Sequence, residues 1–275
     1  MTWKYAICNE TFQDWPHEKV CQTVREIGYT GLEIAPFTIA PYITEVSTSQ
    51  RQELRRVAEA NDLKIIGLHW LLAKTEGFML TSPDPAIRQR TALYLGELAR
   101  ACADLGGDIL VLGSPMQRKI PPGADIPSTT SYALDTLQQV LPFLDETKVD
   151  LCIEPLAPTE ADFLQTAAEG KAMMDQLNHP HVRLHLDVKA MSSEAVPIPQ
   201  ILEKFHQEMR HFHANDANMR GPGFGDTDFL PIFQALKNIH YSGWVSVEVF
   251  NYLPDPVTIA QKSLEYMHQV AGKLQ

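Results

Sequence analysis

Four stretches of this 275-residue chain end an apolar run on a side chain able to hold a cation: LCIEPL offers Glu154, LHLDVK Asp187, HFHAND His213 and WVSVEVF Glu248. Taken singly, each reads as a helix cap or half of an ion pair, because an unpaired buried charge is costly. Taken together, three carboxylates at neighbouring strand ends repel one another in a low dielectric, and a cation offsets that repulsion. Three carboxylates and one imidazole are hard to borderline ligands. They suit one divalent ion, Mn²⁺ first and Mg²⁺ or Co²⁺ as alternatives, with positions left for substrate or water. With no cysteine in the set, a structural zinc is disfavoured. Period two along a strand puts His185 on the face of Asp187 and His211 on the face of His213, one layer deeper. There they either orient the ligands by hydrogen bonding or pack as satisfied core histidines.

The elements that must bring these residues together are legible as alternating units. Short β-branched or apolar runs at 4–8, 31–35, 64–69, 109–113, 150–154, 183–187, 211–214 and 245–249 read as strands. Helical periodicity covers 50–61, 87–105, 131–146, 161–177, 198–209 and 256–270. Eight β–α units could also build an open doubly wound sheet, but no G-x-G-x-x-G turn follows the first strand. The expected fold is therefore α/β, a single (β/α)8 TIM barrel over 1–275, a length close to the roughly 250 residues typical of such barrels. Catalytic groups in that architecture stand at the C-terminal ends of the strands, where the four candidates lie.

Composition narrows the function classes. The chain is 44% hydrophobic and 21% charged, ordinary for a globular protein, and its formal net charge is −11. A nucleic-acid duplex or an anionic membrane calls for a basic face, so neither is an expected partner. The opening MTWKYAICNETF lacks the apolar stretch of a signal peptide, and no apolar run reaches the roughly 18 residues of a membrane span. Cys8, Cys21, Cys102 and Cys152 are dispersed and form no C-x-x-C, which fits reduced, buried thiols in the cytoplasm.

At the residues quoted above, and along IEPLAPTEADFLQT, HFHANDANMRGPGFGD and GWVSVEVF, the sequence resembles the xylose-isomerase-like sugar isomerase/epimerase superfamily, the D-tagatose 3-epimerase type in particular. The resemblance implies a Glu, Asp, His, Glu quartet on one metal, here Glu154, Asp187, His213 and Glu248, with the two glutamates also the acid/base pair. It implies a substrate contact for Glu160, six residues after the first ligand. Two positions depart from the pattern. Ala190 stands where those epimerases carry a substrate-binding His, and Met219 where they carry an Arg, with Arg220 at the next place. The substrate preference of those enzymes is therefore not carried over.

Further candidates come from the loops at the same end. The segment GSPMQRKIPPG offers Arg118, either as a receptor for an oxygen-rich or anionic substrate group or as a solvated loop charge. His69 and Trp70 end the third strand as sugar-pocket or packing residues, and Glu33 ends the second with the same ambiguity. The expected function is a metal-dependent sugar isomerase or epimerase acting on a ketose or related polyhydroxy carbonyl compound by proton transfer through an enediolate. The alternative is a lyase or dehydratase on the same barrel, inosose-dehydratase-like or acting on a keto-glycoside. The expected partner is a small-molecule sugar; a homo-oligomer, dimer or tetramer, stays open. A repair endonuclease would need further metal-binding histidines, and Ala190 removes one of their places.

Overall fold

A computed structural model describes residues 3–274. Strands β1 (Lys4–Cys8), β2 (Gly31–Ile34), β3 (Lys64–Leu68), β4 (Ile109–Leu112), β5 (Asp150–Ile153), β6 (Val182–Asp187), β7 (Met209–Ala214) and β8 (Trp244–Val247) close in sequence order into a parallel barrel. Around it run α1 (His17–Ile27), α2 (Thr48–Ala60), α3 (Pro85–Asp104), α4 (Ile126–Gln138), α5 (Leu141–Thr147), α6 (Ala167–Leu177), α7 (Val188–Met191), α8 (Ile198–Lys204), α9 (Phe229–Asn238) and α10 (Pro256–Ala271). The expected TIM barrel is the observed fold, and its strands begin and end within about two residues of their sequence-read positions.

Period two divides the strands between two environments. Outward residues such as Leu32, Leu110, Ile153 and Phe212 join helix residues such as Val24, Leu98, Leu137 and Phe233 in one continuous core. Each such side chain contributes about 1.5–3 kcal/mol by leaving water. Inward residues Ala6, Ile66, Ile109, Val111, Cys152 and Trp244 form a separate apolar floor. Two residues further along the same strands the interior turns polar: Cys8 follows Ala6, Glu154 follows Cys152, and Ser246 follows Trp244. The barrel is thus apolar at its base and polar at the C-terminal mouth.

The helices depart from expectation in ways the local sequence explains. The segment 131–146 is two helices, because Pro142 sits in the first turn of α5 and lacks the N–H that would continue α4. Residues 161–166 are a loop, and α6 starts only at Ala167, where the Thr166 side chain accepts the Glu169 N–H as an N-cap. Helix α8 stops at Lys204, since Met209 already belongs to β7. Helices α1 and α9 also formed, although the reading above did not single them out. Buried Val20, Cys21 and Val24 give α1 its inward stripe, and Gly28 ends it at φ 115°, a left-handed position natural to glycine.

Candidate metal centre

The four expected ligands converge at the mouth. Glu154 follows β5 directly, Asp187 ends β6, His213 lies on β7 and Glu248 follows β8. Register places Asp187 opposite His213 and His213 opposite Ser246, so Asp187 and His213 share one level and Glu248 stands two residues further along its strand than Ser246. All are buried, at 6% (Glu154), 2% (Asp187), 0% (His213) and 2% (Glu248) exposure. His213 Nδ1 is 3.1 Å from Glu248 Oε2 and 4.0 Å from Asp187 Oδ2. Ligand atoms of Glu154, Asp187, His213 and also His185 lie within 4.8 Å of one another. Glu248 meets that group through its 3.1 Å contact with His213, so His185 stands in it beside three of the expected four.

Hydrogen bonds fix each ligand. Asp187 Oδ1 accepts the Ala190 N–H at 2.7 Å as the cap of α7, and Oδ2 accepts Asn215 Nδ2 at 2.5 Å. Glu248 Oε1 accepts Trp70 Nε1–H at 2.7 Å. His213 Nε2 faces the Glu33 carboxylate at 3.1 and 3.2 Å and donates its proton there, which leaves Nδ1 on the side of Glu248 and Asp187; protonated it donates to Glu248, and deprotonated it would turn a lone pair to an ion. Glu33 itself is 0% exposed and also takes bonds from His211 Nε2 at 2.9 Å and Ser246 Oγ at 2.8 Å. Glu154 has room because residue 113 is glycine: a Cβ there would lie 1.6 Å from its Oε2.

Electrostatics separate the carboxyls. Burial, then Glu248 and Asp187, holds Glu154 well above the ordinary carboxylate range, and burial with Glu248 pushes Asp187 up to about 6. Burial acts on Glu248 too, but the His213 imidazolium outweighs it and keeps that carboxyl low. In Glu33 the pull of His211 and His213 likewise defeats burial and holds the carboxyl well below its usual range. His185 is pushed well down by burial and its cationic neighbours, and neither of its ring nitrogens has a partner. Two carboxyls forced upward, a histidine with both nitrogens orphaned and a glycine cradle beside Glu154 are features that a divalent cation here would satisfy. The donor set therefore fits a divalent ion.

The other sequence candidates take varied places. Glu160 reaches the mouth through Lys189, whose Nζ donates to Glu160 Oε1 and lies 3.9 Å over the Phe250 ring. Arg118 is 1% exposed and so not a solvated loop charge; its guanidinium donates to the carbonyls of Glu154 (2.6 Å) and Leu112 and braces the ends of β4 and β5. His69 has no solvent exposure, and its Nε2 lies 2.8 Å from Glu10 Oε2, the packed arrangement that is one of its two expected readings. Arg220 donates to the Leu253 carbonyl at 3.1 Å and stacks 4.7 Å over Phe224, and the four ligands do not engage it. His211 meets Glu33 as an orienting residue should, while His185 stands 3.8 Å from Glu154 Oε1. Lys189, Glu10 and Asn215 escaped the sequence reading, and Glu33 was left without a role.

With this geometry in hand, comparison decides the family: the sequence profile described as xylose isomerase-like TIM barrel matches residues 21–270. The chain belongs to that family. Within the xylose isomerase-like barrels it is 26% identical over 244 residues to D-psicose 3-epimerase of Ruminiclostridium cellulolyticum, covering 86% of this chain and 80% of that one. It is 23% identical to a probable ketose 3-epimerase of Synechocystis, covering 92% and 90%. The crystal structure of D-psicose 3-epimerase with D-tagatose from Clostridium cellulolyticum superposes with TM-score 0.84 at 22% identity over 98% of this chain and 99% of that one, a likeness of fold. These relatives are named as epimerases, enzymes of the isomerase class, and nothing in them supports the lyase alternative. No helix among the described residues is long and apolar enough to cross a membrane.

Proposed function

We propose that the chain is a divalent-metal-dependent epimerase of a ketose or closely related polyhydroxy ketone, with Glu154, Asp187, His213 and Glu248 as ligands and Mn²⁺ as the ion of first choice, Mg²⁺ or Co²⁺ as alternatives. The observation that carries this reading is the pair of buried carboxyls, Glu154 and Asp187, raised above their ordinary range around a histidine whose Nδ1 faces the carboxylates. When bound, the ion supplies positive charge for the substrate oxygens on which negative charge develops.

The chain's own residues divide the proton work. Trp70 Nε1–H holds Glu248 Oε1, and positive charge beside the carboxyl keeps it ionised, which suits Glu248 to take the proton from the carbon beside the carbonyl. Glu154, whose affinity for a proton is raised by burial and its carboxylate neighbours, returns a proton on the opposite face, and the centre inverts. Asn215 and the Ala190 N–H hold Asp187 as a ligand without a proton to move. Four free, buried cysteines and a net charge of −11 support a reducing cytoplasm and a small-molecule partner rather than nucleic acid.

The test replaces each glutamate by Gln and follows substrate in D₂O by NMR, with metal content measured in parallel. Glu154→Gln should retain exchange of the substrate proton while product formation falls about 10²–10⁴-fold, and Glu248→Gln should lose both. Undiminished product formation in both variants, metal still bound, sinks the assignment.

A further inference from the structure

His185 lies on β6 two residues before Asp187, without solvent exposure, and neither of its ring nitrogens has a hydrogen-bond partner. Among the described residues no other buried histidine is left so. His69 is held through Nε2 by Glu10, His211 through Nε2 by Glu33, and His213 through its two nitrogens by Glu33 and Glu248. A neutral imidazole carries one N–H and one lone pair, and leaving both unmet in the interior is costly.

The backbone aims this side chain. Leu184 pairs with Met209 and His185 with His211, so the ladder skips Arg210 and the register shifts at His185. Irregularities of this kind re-aim a side chain beside a site. His185 Nε2 stands 3.8 Å from Glu154 Oε1, too far for a hydrogen bond. The same spacing suits two ligands of one ion: donors about 2.1 Å from a metal stand about 3 Å apart when adjacent and about 4.2 Å apart when opposite. Ligand atoms of His185, Glu154, Asp187 and His213 all lie within 4.8 Å of one another. For the other nitrogen, His211 is the neighbour in the same layer, with ring centroids 5.2 Å apart. Its Nε2 faces Glu33, and its Nδ1 is likewise unpartnered.

We propose that His185 is a fifth protein ligand of the metal centre, bound through Nε2, so that two imidazoles and three carboxylates hold the ion. The statement rests on the metal binding proposed above and adds a consequence for the choice of ion. A second imidazole moves the donor set away from pure oxygen ligation, so Co²⁺ gains on Mg²⁺, which favours oxygen.

The test counts nitrogens. Protein labelled with ¹⁵N only in histidine is loaded with Mn²⁺ and studied by pulsed EPR, which resolves nitrogen bound directly to the ion, beside His185→Leu carrying the same label. Two bound imidazole nitrogens are expected in the parent and one in His185→Leu. By calorimetry the variant should bind Co²⁺ about tenfold or more weakly than the parent and Mg²⁺ within about threefold. Should the Leu variant fail to fold, His185→Gln keeps a polar side chain there and brings no labelled nitrogen. One bound nitrogen in the parent, or two in parent and variant alike, overturns the proposal and leaves His213 and the carboxylates as ligands. Mn²⁺ bound with no coupled nitrogen removes His213 as well, and failure to bind Mn²⁺ at all overturns the metal centre together with this proposal.

Discussion

Gly113→Ala probes the centre with one methyl group placed by geometry. The new Cβ would stand 1.6 Å from Glu154 Oε2, and contacts under 3.0 Å force something to shift, so the carboxylate must retreat by about 1.4 Å or drag β5 with it. Metal–ligand distances tolerate only about ±0.2 Å, and removing the support of a ligand typically costs about 10–100-fold in affinity. A reacting group misplaced by about 1 Å costs on the order of 10²-fold in rate. The variant is therefore expected to bind Mn²⁺ about 10–100-fold more weakly by calorimetry and to turn over about 10²-fold more slowly. Its fold should survive, because Glu154 lies at the mouth and can swing toward solvent, and the overpacking cost is about 1–3 kcal/mol. In a Glu154→Gln background the same substitution should add little, since both act on one side chain. Wild-type Mn²⁺ affinity and turnover in Gly113→Ala would show that Glu154 neither binds the ion nor handles the proton.

Three further outcomes test neighbouring parts of the site. His213→Ala should lose the single equivalent of Mn²⁺ found by elemental analysis after reconstitution; unchanged metal content removes His213 from the ligand set. Glu33→Gln takes the negative charge from beneath His213 and His211 and should weaken Mn²⁺ about 10–100-fold by calorimetry, and an unaltered affinity would reduce Glu33 to a packing residue. In the metal-free protein, Glu154 and Asp187 titrate above their unfolded values, so the native state keeps protons the unfolded chain has released, and stability falls as pH rises from about 4 towards about 6. Metal-free Glu154→Gln should therefore melt higher than the parent at pH 7, with the gap closing near pH 4; equal melting temperatures at pH 7 would refute this charge balance.

Much of the barrel was legible because each inward strand residue follows a rule of period two and each outward one a rule of burial. The four ligands stood out as the only kind of side chain that an apolar strand end does not want. What the sequence could not convey is angular distance around the barrel. Glu33 on β2 and His213 on β7 are 180 positions apart, yet their side chains meet at 3.1 Å. The signal was present in GLEI, where a carboxylate interrupts a buried run and must have partners, but nothing local says which. The burial of Arg118 was hidden for the opposite reason: a cation in a polar loop reads as exposed, and only the fold reveals that it turns inward onto the carbonyls at the ends of β4 and β5. Lys189 and Asn215 were invisible because their importance lies in reaching Glu160 and Asp187 across the mouth.

The arrangement would keep a bound ion apart from the groups that choose the sugar. Glu33, His211 and Ser246 support His213 from below, and the Glu10–His69 pair stands beside them under the same mouth. Every one of these groups is essentially without solvent, so its orientation is set by the barrel and not by the ligand. Lys189, Glu160, Phe250 and Trp70 face the mouth instead, on loops and short elements that follow the strands. Loops of this kind change at little cost to the fold, whereas a change in the buried layer strands a charge. Ala190 and Met219 also lie in the short elements and loops that follow the strands, where Lys189 reaches Glu160. A chain can exchange such contacts, and with them its sugar, while Glu154, Asp187, His213 and Glu248 stay where the buried layer holds them.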